Sequence, residues 1–327
     1  MKSFKRLLGL ALCAATLTLC ACTSAPPVQS DTPATTPTET QDPNTPLSDG
    51  KTLKLLAITS SFGLNTTQFL YDVAKAEGCT DVVVGRLYGS GCTLAQHWSN
   101  AQTNANFYQY TKISSGKYEL MEGIPLMYGL QDEDWDIIYI QQSAAQAGIE
   151  TSYSNYIDKI MPFLQENKTN SKARFVWNMT WAYQGDSDQK PFTTVFQCDQ
   201  MAMYDEITRI TQALIVPRTD FDRIIPTGTV IQNARTSAFG DTLCKDTYHL
   251  NNYGGILAAY GLYAVLTGQP LTEINIDAVA ASAANGIGGA EPIITPLTET
   301  QKAIIIESVN NAISNPFAVT QSAIAEG

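Results

Sequence analysis

The tetrapeptide Asp246-Thr247-Tyr248-His249 places a carboxylate three residues ahead of an imidazole. Far upstream, Ser60 and Ser61 close the short aliphatic run Leu53 to Ile58. Hydrolysing an ester with a serine needs a base to take the hydroxyl proton, a carboxylate to orient that base, and donors where the oxyanion forms. At this spacing Asp246 can fold back onto Nδ1–H of His249 and leave Nε2 free to face a serine hydroxyl. Taken alone, each feature has a plainer reading. A D-x-x-H arises by chance in many chains, His249 could be a surface or helix-terminal histidine, and a Ser-Ser pair could simply cap a helix.

The elements around these residues decide whether they can meet. An aliphatic run bounded by polar turn formers reads as a buried parallel strand, and ligands gather outside the carboxyl ends of such strands in an open α/β sheet. From residue 53 onward strand and helix patterns alternate, which predicts a parallel sheet with helices on both faces. Strands are expected at 53–59, 81–88, 135–143, 174–179 and 223–226. Helices are expected after Gly63 (with Phe69, Leu70, Val73 and Ala74 on one apolar stripe), at Ile124 to Glu133, at 153–166, at about 193–214 and from Asn251 or Asn252 to Leu266. Gly78 and Gly268 stop two of them. The region 107–120 reads as a small hairpin insertion turning at Ser114-Ser115-Gly116. Thr298 with Gln301 forms a plausible capping box ahead of a last helix.

The ends and composition narrow the class. Lys2, Lys5 and Arg6 precede an apolar stretch, Leu7 to Leu19, too short to span a bilayer comfortably. Leu19-Cys20-Ala21-Cys22 resembles a bacterial lipobox, with Cys22 as the lipidated residue because the small Ala21 precedes it; an ordinary secretory signal is the plainer alternative. Residues 23–50 are rich in Pro, Thr and Ser and cannot bury enough surface to offset their ordering entropy, so a disordered tether is expected. The expected organisation is a signal at 1–21, a tether at 22–50, a catalytic-type domain at 51–290, and a C-terminal helix and tail at 291–327. The formal charge of −11 becomes −14 once the three basic residues of the leader are gone. That balance argues against a nucleic-acid partner and against electrostatic binding to anionic lipid, leaving any anchoring to acyl chains. Beyond the leader and Cys22, Cys79, Cys92, Cys198 and Cys244 remain. They could be buried thiols or two disulfides, of which Cys92–Cys244 is the favoured pair. With two histidines and no C-x-x-C, neither a metal site nor a cofactor is expected.

Separated blocks, in order, resemble the SGNH (GDSL-type) hydrolases, and within them a group of exported, often lipid-anchored bacterial proteins whose first block reads roughly G-N-S-F. Ala57-Ile58-Thr59-Ser60-Ser61-Phe62 is the first block, with Ser61 in the nucleophile's place. Gly89-Ser90-Gly91-Cys92-Thr93-Leu94 is the second, where Gly91 matches the glycine whose N–H serves the oxyanion hole. Asp246-x-x-His249-Leu250 with Gly254 is the last. Thr59-Ser60 departs from the usual Gly-Asn or Gly-Asp, which leaves Ser60 as a rival nucleophile. The superfamily's third block, with its oxyanion asparagine, is absent. After the third strand stand Gln141 and Gln142, whose amides could donate the same bond. The resemblance implies a flavodoxin-like three-layer α/β sandwich around a five-stranded parallel sheet, and a hole made from the N–H groups of Ser61 and Gly91 with a Gln141 or Gln142 amide.

Other residues carry weaker signals. Trp177 and Trp181 flank Asn178-Met179-Thr180 and could stack on a sugar ring, or could be core aromatics. Asn178 and Gln184 are candidates for substrate hydrogen bonds. His97 reads as a hydrogen-bonded structural residue, and Arg235 as half of an ion pair. The whole predicts a metal-independent serine esterase, lipid-anchored at the cell envelope; the resemblance implies that it acts on short-chain, chiefly acetyl, esters of extracellular carbohydrate. The rivals are an inactive glycan-binding lipoprotein on the same fold and an exported flavodoxin-like carrier or phosphoesterase; no G-x-x-x-x-G-K-[ST] phosphate loop occurs.

Overall fold

Residues 45–284, 286 and 296–324 are described by a computed structural model. The expected leader, Cys22 and the tether up to residue 44 lie outside the described residues.

Aliphatic runs form the centre. β1 (Thr52–Thr59) is flanked by β2 (Asp81–Tyr88) and, on its other side, by β5 (Ile137–Ile140), followed by β6 (Arg174–Asn178) and β7 (Arg223–Ile225). All five run parallel. Numbered among themselves their order is 2-1-3-4-5, the flavodoxin-like order, and the direction of winding reverses between β1 and β5. The expected α/β sandwich is therefore what forms. One detail differs: the hairpin of β3 (Tyr108–Ser114) and β4 (Lys117–Ile124) is no separate insertion but extends the sheet antiparallel beyond β2, giving seven strands.

Side chains alternate across each strand and so feed two different cores. Leu56 and Ile58 of β1, Ile138 and Ile140 of β5, and Phe175 and Trp177 of β6 enter one core. On that side lie α3 (Leu94–Thr103), α4 (Leu126–Gln131) and α5 (Ser154–Asn167). Leu55 and Ala57, Ile137 and Tyr139, and Val176 enter the opposite one. That side carries α1 (Ser61–Thr67), α2 (Leu70–Ala76), α7 (Thr227–Arg235), α8 (Asn252–Thr267), α9 (Ile276–Ala284) and α10 (Glu299–Ser314). Because α10 packs on α7 and α8 and buries Ile304, Ile305, Val309 and Ala312 in the same core as Phe62 and Trp181, the C-terminal helix shares the domain's interior.

Several boundaries follow local chemistry. The side chain of Asn251 accepts from Gly254 N–H at the start of α8, and Gly268 ends it in a left-handed conformation. Thr298 and Gln301 form a reciprocal capping box on α10. Only α6 (Gln200–Ile210) and a π turn at Thr211–Ile215 occupy the stretch expected as one helix over 193–214; the residues before Asp199, which caps α6, are turns. The chain enters at the sheet's amino-terminal edge. Leu47 and Ser48 N–H both donate to Leu266 O, while Arg223 and Arg174 at the starts of β7 and β6 donate to the carbonyls of Thr45 and Pro46 at 2.7 and 3.3 Å. Among the described residues no helix is long and apolar enough to cross a membrane.

Candidate active site

At the carboxyl end of β1 the chain turns through Ser60, in an extended conformation, straight into α1, of which Ser61 is the first residue. The turn is tight. A Cβ on Gly63 would lie 1.7 Å from Oγ1 of Thr59, so glycine at 63 is what allows a threonine at 59. On the neighbouring strand, Gly89 N–H donates to Thr59 O, which sets the Gly89–Cys92 turn beside the Ser60–Ser61 step; Gly91 within it has φ +59°.

The remote histidine arrives on a short hairpin closed by the Cys244–Leu250 bridge, just before α8. Ser61 Oγ donates to Nε2 of His249 at 2.8 Å, and Nδ1–H of His249 donates to Asp246 Oδ2 at 2.7 Å. The other oxygen of Asp246 accepts the backbone N–H of His249 at 2.8 Å. Burial works against the charge of Asp246, yet the ring and backbone N–H groups of His249 outweigh it and hold the carboxyl below the usual carboxylate range. Ser60 is not placed to compete. Its buried hydroxyl accepts a long 3.4 Å bond from Gln141 Nε2 instead.

Three contacts keep the two halves of this constellation together. Asn65 Oδ1, one turn along α1 from Ser61, accepts Leu250 N–H at 3.2 Å. Trp181 stacks on Phe62 (centroids 4.0 Å apart, planes 4° apart) and donates its indole N–H to Tyr248 O at 2.8 Å. It thereby ties the neighbour of the serine to the neighbour of the histidine. Thr247 sits at φ +71°, a conformation that β-branched residues avoid. Its carbonyl accepts Gln184 N–H at 2.8 Å and its hydroxyl donates to Ser187 Oγ at 3.0 Å, which holds the turn in place.

Alternation separates the paired glutamines. Gln141 follows Tyr139 on the α8 face, where its Oε1 accepts from Tyr139 OH at 2.7 Å and Asn178 Nδ2 at 3.0 Å, while its Nε2 points towards Ser60. Gln142 turns to the α3 and α5 face. Its oxygen accepts Leu94 and Ser143 N–H, and its nitrogen donates to the carbonyl and hydroxyl of Ser152. As an oxyanion donor Gln142 is thus corrected: its amide is spent on tying α3 to the loop before α5.

The expected sugar platform is corrected as well. Trp177 lies in the core against Tyr153 and Phe221, on the face away from Ser61. Trp181 is fully buried as the buttress just described, and the buried Asn178 bonds Gln141 and Thr227 rather than facing solvent. Gln184 contributes its backbone to Thr247 and its side chain to Asp186. Arg235 pairs with Asp241 at 2.8 Å and donates to Ala182 O, a structural ion pair as expected. His97 is buried, shares a 2.8 Å hydrogen bond between Nδ1 and Tyr108 OH, and has its pKa lowered to about 3 by burial. The four cysteines are free thiols: Cys92 lies 3.4 Å from His97 Nδ1 and Cys244 accepts from Arg235, so the Cys92–Cys244 disulfide does not form. Among the described residues no group of three or more His, Cys, Asp or Glu is arranged to hold a metal ion.

Sequence reading missed the roles of Asn65, Tyr139 and Thr227. Asn65 alone had a usable cue, its i+4 spacing from Ser61 on a helix.

Comparison with known proteins gives a consistent setting. Residues 54–286 match the model of a family described as "Domain of unknown function (DUF4886)". The crystal structure of a DUF4886 family protein from Bacteroides uniformis superposes with a TM-score of 0.71 at 29% identity, covering 83% of this chain and 98% of that one. A putative GDSL-like lipase from Parabacteroides merdae (TM-score 0.41, 11% identity, 67% and 98% of the two chains) is a looser match. So is an acetylxylan esterase from Geobacillus stearothermophilus (TM-score 0.38, 10% identity, 67% and 96%). Neither bears on the chemistry at such scores. No curated protein matches the chain.

Proposed function

This chain belongs to the DUF4886 family, whose description names no activity, and we propose from the site itself that it is a serine ester hydrolase. The observation that carries the reading is the unbroken line from Ser61 Oγ through His249 to Asp246, at 2.8 and 2.7 Å. Ser61 attacks the ester carbonyl as its proton passes to Nε2 of His249. Asp246 holds the imidazole in the tautomer that accepts there and stabilises the imidazolium that results. The oxyanion is taken by the N–H groups of Ser61 and Gly91 and by the Gln141 amide. As the first residue of a helix, Ser61 has no intrahelical acceptor for its N–H. His249 then returns the proton to the departing alcohol. Water repeats the sequence to release the acid and restore Ser61.

Under this proposal the substrate is a short-chain ester, chiefly acetyl, on extracellular carbohydrate, and the enzyme works at the cell envelope, held by a lipid on Cys22. Export and anchoring are supported by the leader, the Ala21-Cys22 step and the Pro- and Thr-rich stretch after it, whereas the acetyl ester and the carbohydrate rest on the resemblance of the sequence blocks to the SGNH hydrolases alone. Acidity of the chain supports the absence of nucleic acid among its partners, and the chemistry as drawn needs no metal or cofactor.

Purified protein should hydrolyse p-nitrophenyl acetate and be labelled by a fluorophosphonate, and Ser61→Ala should abolish both while melting like wild type. Equal behaviour of the two proteins would end the esterase reading and favour a binding module.

A further inference from the structure

Behind the serine runs a chain of buried polar groups that ends on the Gln141 amide, and the reaction as drawn leaves the other three without a task. Thr227 Oγ1, the first residue of α7, donates to Asn178 Oδ1 at 2.6 Å. Asn178 Nδ2, at the end of β6, donates to Gln141 Oε1 at 3.0 Å, and Tyr139 OH, from β5, donates to the same oxygen at 2.7 Å. All four residues are buried. Donors from two neighbouring strands, β5 and β6, thus converge on one carboxamide oxygen, and α7 holds the second of them through Asn178.

A carboxamide offers an acceptor on one side and donors on the other, and a half-turn about its last bond exchanges them. A glutamine left to itself could therefore meet a forming oxyanion with its oxygen, which would repel it. Two donors on Oε1 oppose that half-turn and leave Nε2 pointing towards the Ser60–Ser61 step. Burial raises the pKa of the Tyr139 phenol well above its ordinary value, so the phenol keeps the proton it donates.

We infer that Tyr139, Asn178 and Thr227 are positioning residues that lock the Gln141 amide with its N–H side towards the oxyanion, Asn178 being fixed in turn by Thr227. The inference rests on the serine-hydrolase reading and assigns to Asn178 a task in catalysis without contact to substrate.

Kinetics of p-nitrophenyl acetate hydrolysis test it. Gln141→Leu should lower kcat on the order of 10²-fold with KM little changed, as for loss of one oxyanion donor. Tyr139→Phe, which deletes one oxygen and keeps the ring, should lower kcat roughly 5- to 10-fold. Asn178→Leu with Tyr139→Phe should approach the loss of Gln141→Leu. On a Gln141→Leu background neither change should lower kcat further, because groups acting through one partner are not additive. Equal losses with and without Gln141 would mean a packing effect and overturn the inference, as would a wild-type kcat for Tyr139→Phe. Should Asn178→Leu fail to fold, the Tyr139→Phe cycle still decides. A wild-type kcat for Gln141→Leu removes the donor and the inference with it, but leaves Ser61 and His249 standing. Only activity that survives Ser61→Ala would remove the hydrolase reading as well.

Discussion

Asp246 differs from the usual orienting carboxylate in being 43% exposed. Water screens its attraction for the imidazolium, whereas its hydrogen bond still selects the tautomer. Asp246→Asn should therefore lower kcat about 10²- to 10³-fold, less than the ~10⁴ typical of a buried triad aspartate, in steady-state assays. Ser61, His249 and Asp246 were legible in the sequence because three residue types occurred together in blocks of the right order. The residues around them were not. Gln141 and Gln142 are neighbours on a strand, and alternation guarantees that just one can face Ser61 without saying which. The same parity turns Trp177 into one core while Asn178 turns to the other side. Which face carries α8, and hence the histidine, is a fact of tertiary structure that no local pattern contains.

At the scale of elements, the join between β1 and α1 fixes the nucleophile. Thr59 fills the space that a side chain at 63 would need, and its Cβ alone would sit 2.6 Å from the new atom. Gly63→Ala should push α1 off β1, costing about 1–3 kcal/mol of stability for the overpacking and most of the activity. Thr59→Gly in the same protein removes Oγ1, Cβ and Cγ2 of Thr59, which would lie 1.7, 2.6 and 3.1 Å from that Cβ. The double variant should regain much of both losses, as read by thermal melts and kcat; a double variant no better than Gly63→Ala would show the collision lies elsewhere. The five parallel strands were legible because both faces are covered and their sequences are continuously apolar. The hairpin's place in the sheet was not, since β4 is exposed along most of its length and carries no core signal. The stretch before α6 misled for a related reason: Phe192 and Phe196 are buried from turns rather than from a helical stripe.

For the whole molecule, the buried His97 makes stability depend on pH. Its folded pKa of about 3 lies below the ordinary 6.5, so between those values the unfolded chain binds a proton that the native protein refuses. Stability is then complete above pH 6.5 and falls as pH drops, by about 1.4 kcal/mol per unit from this group. His97→Leu, which cannot bind that proton, should lose less. Urea melts at pH 7 and pH 5 should show wild type giving up about 2 kcal/mol more than the variant over that interval. A constant difference between the two proteins would mean His97 titrates normally.

The anchoring of Thr45 and Pro46 by Arg223 and Arg174, at the edge where β6 and β7 begin, gives the domain a handle. The serine sits at the edge where β1 finishes, with the length of the sheet between them. A bead, dye or fusion partner joined directly at Thr45 would start from that edge, a sheet's length away from the reacting groups.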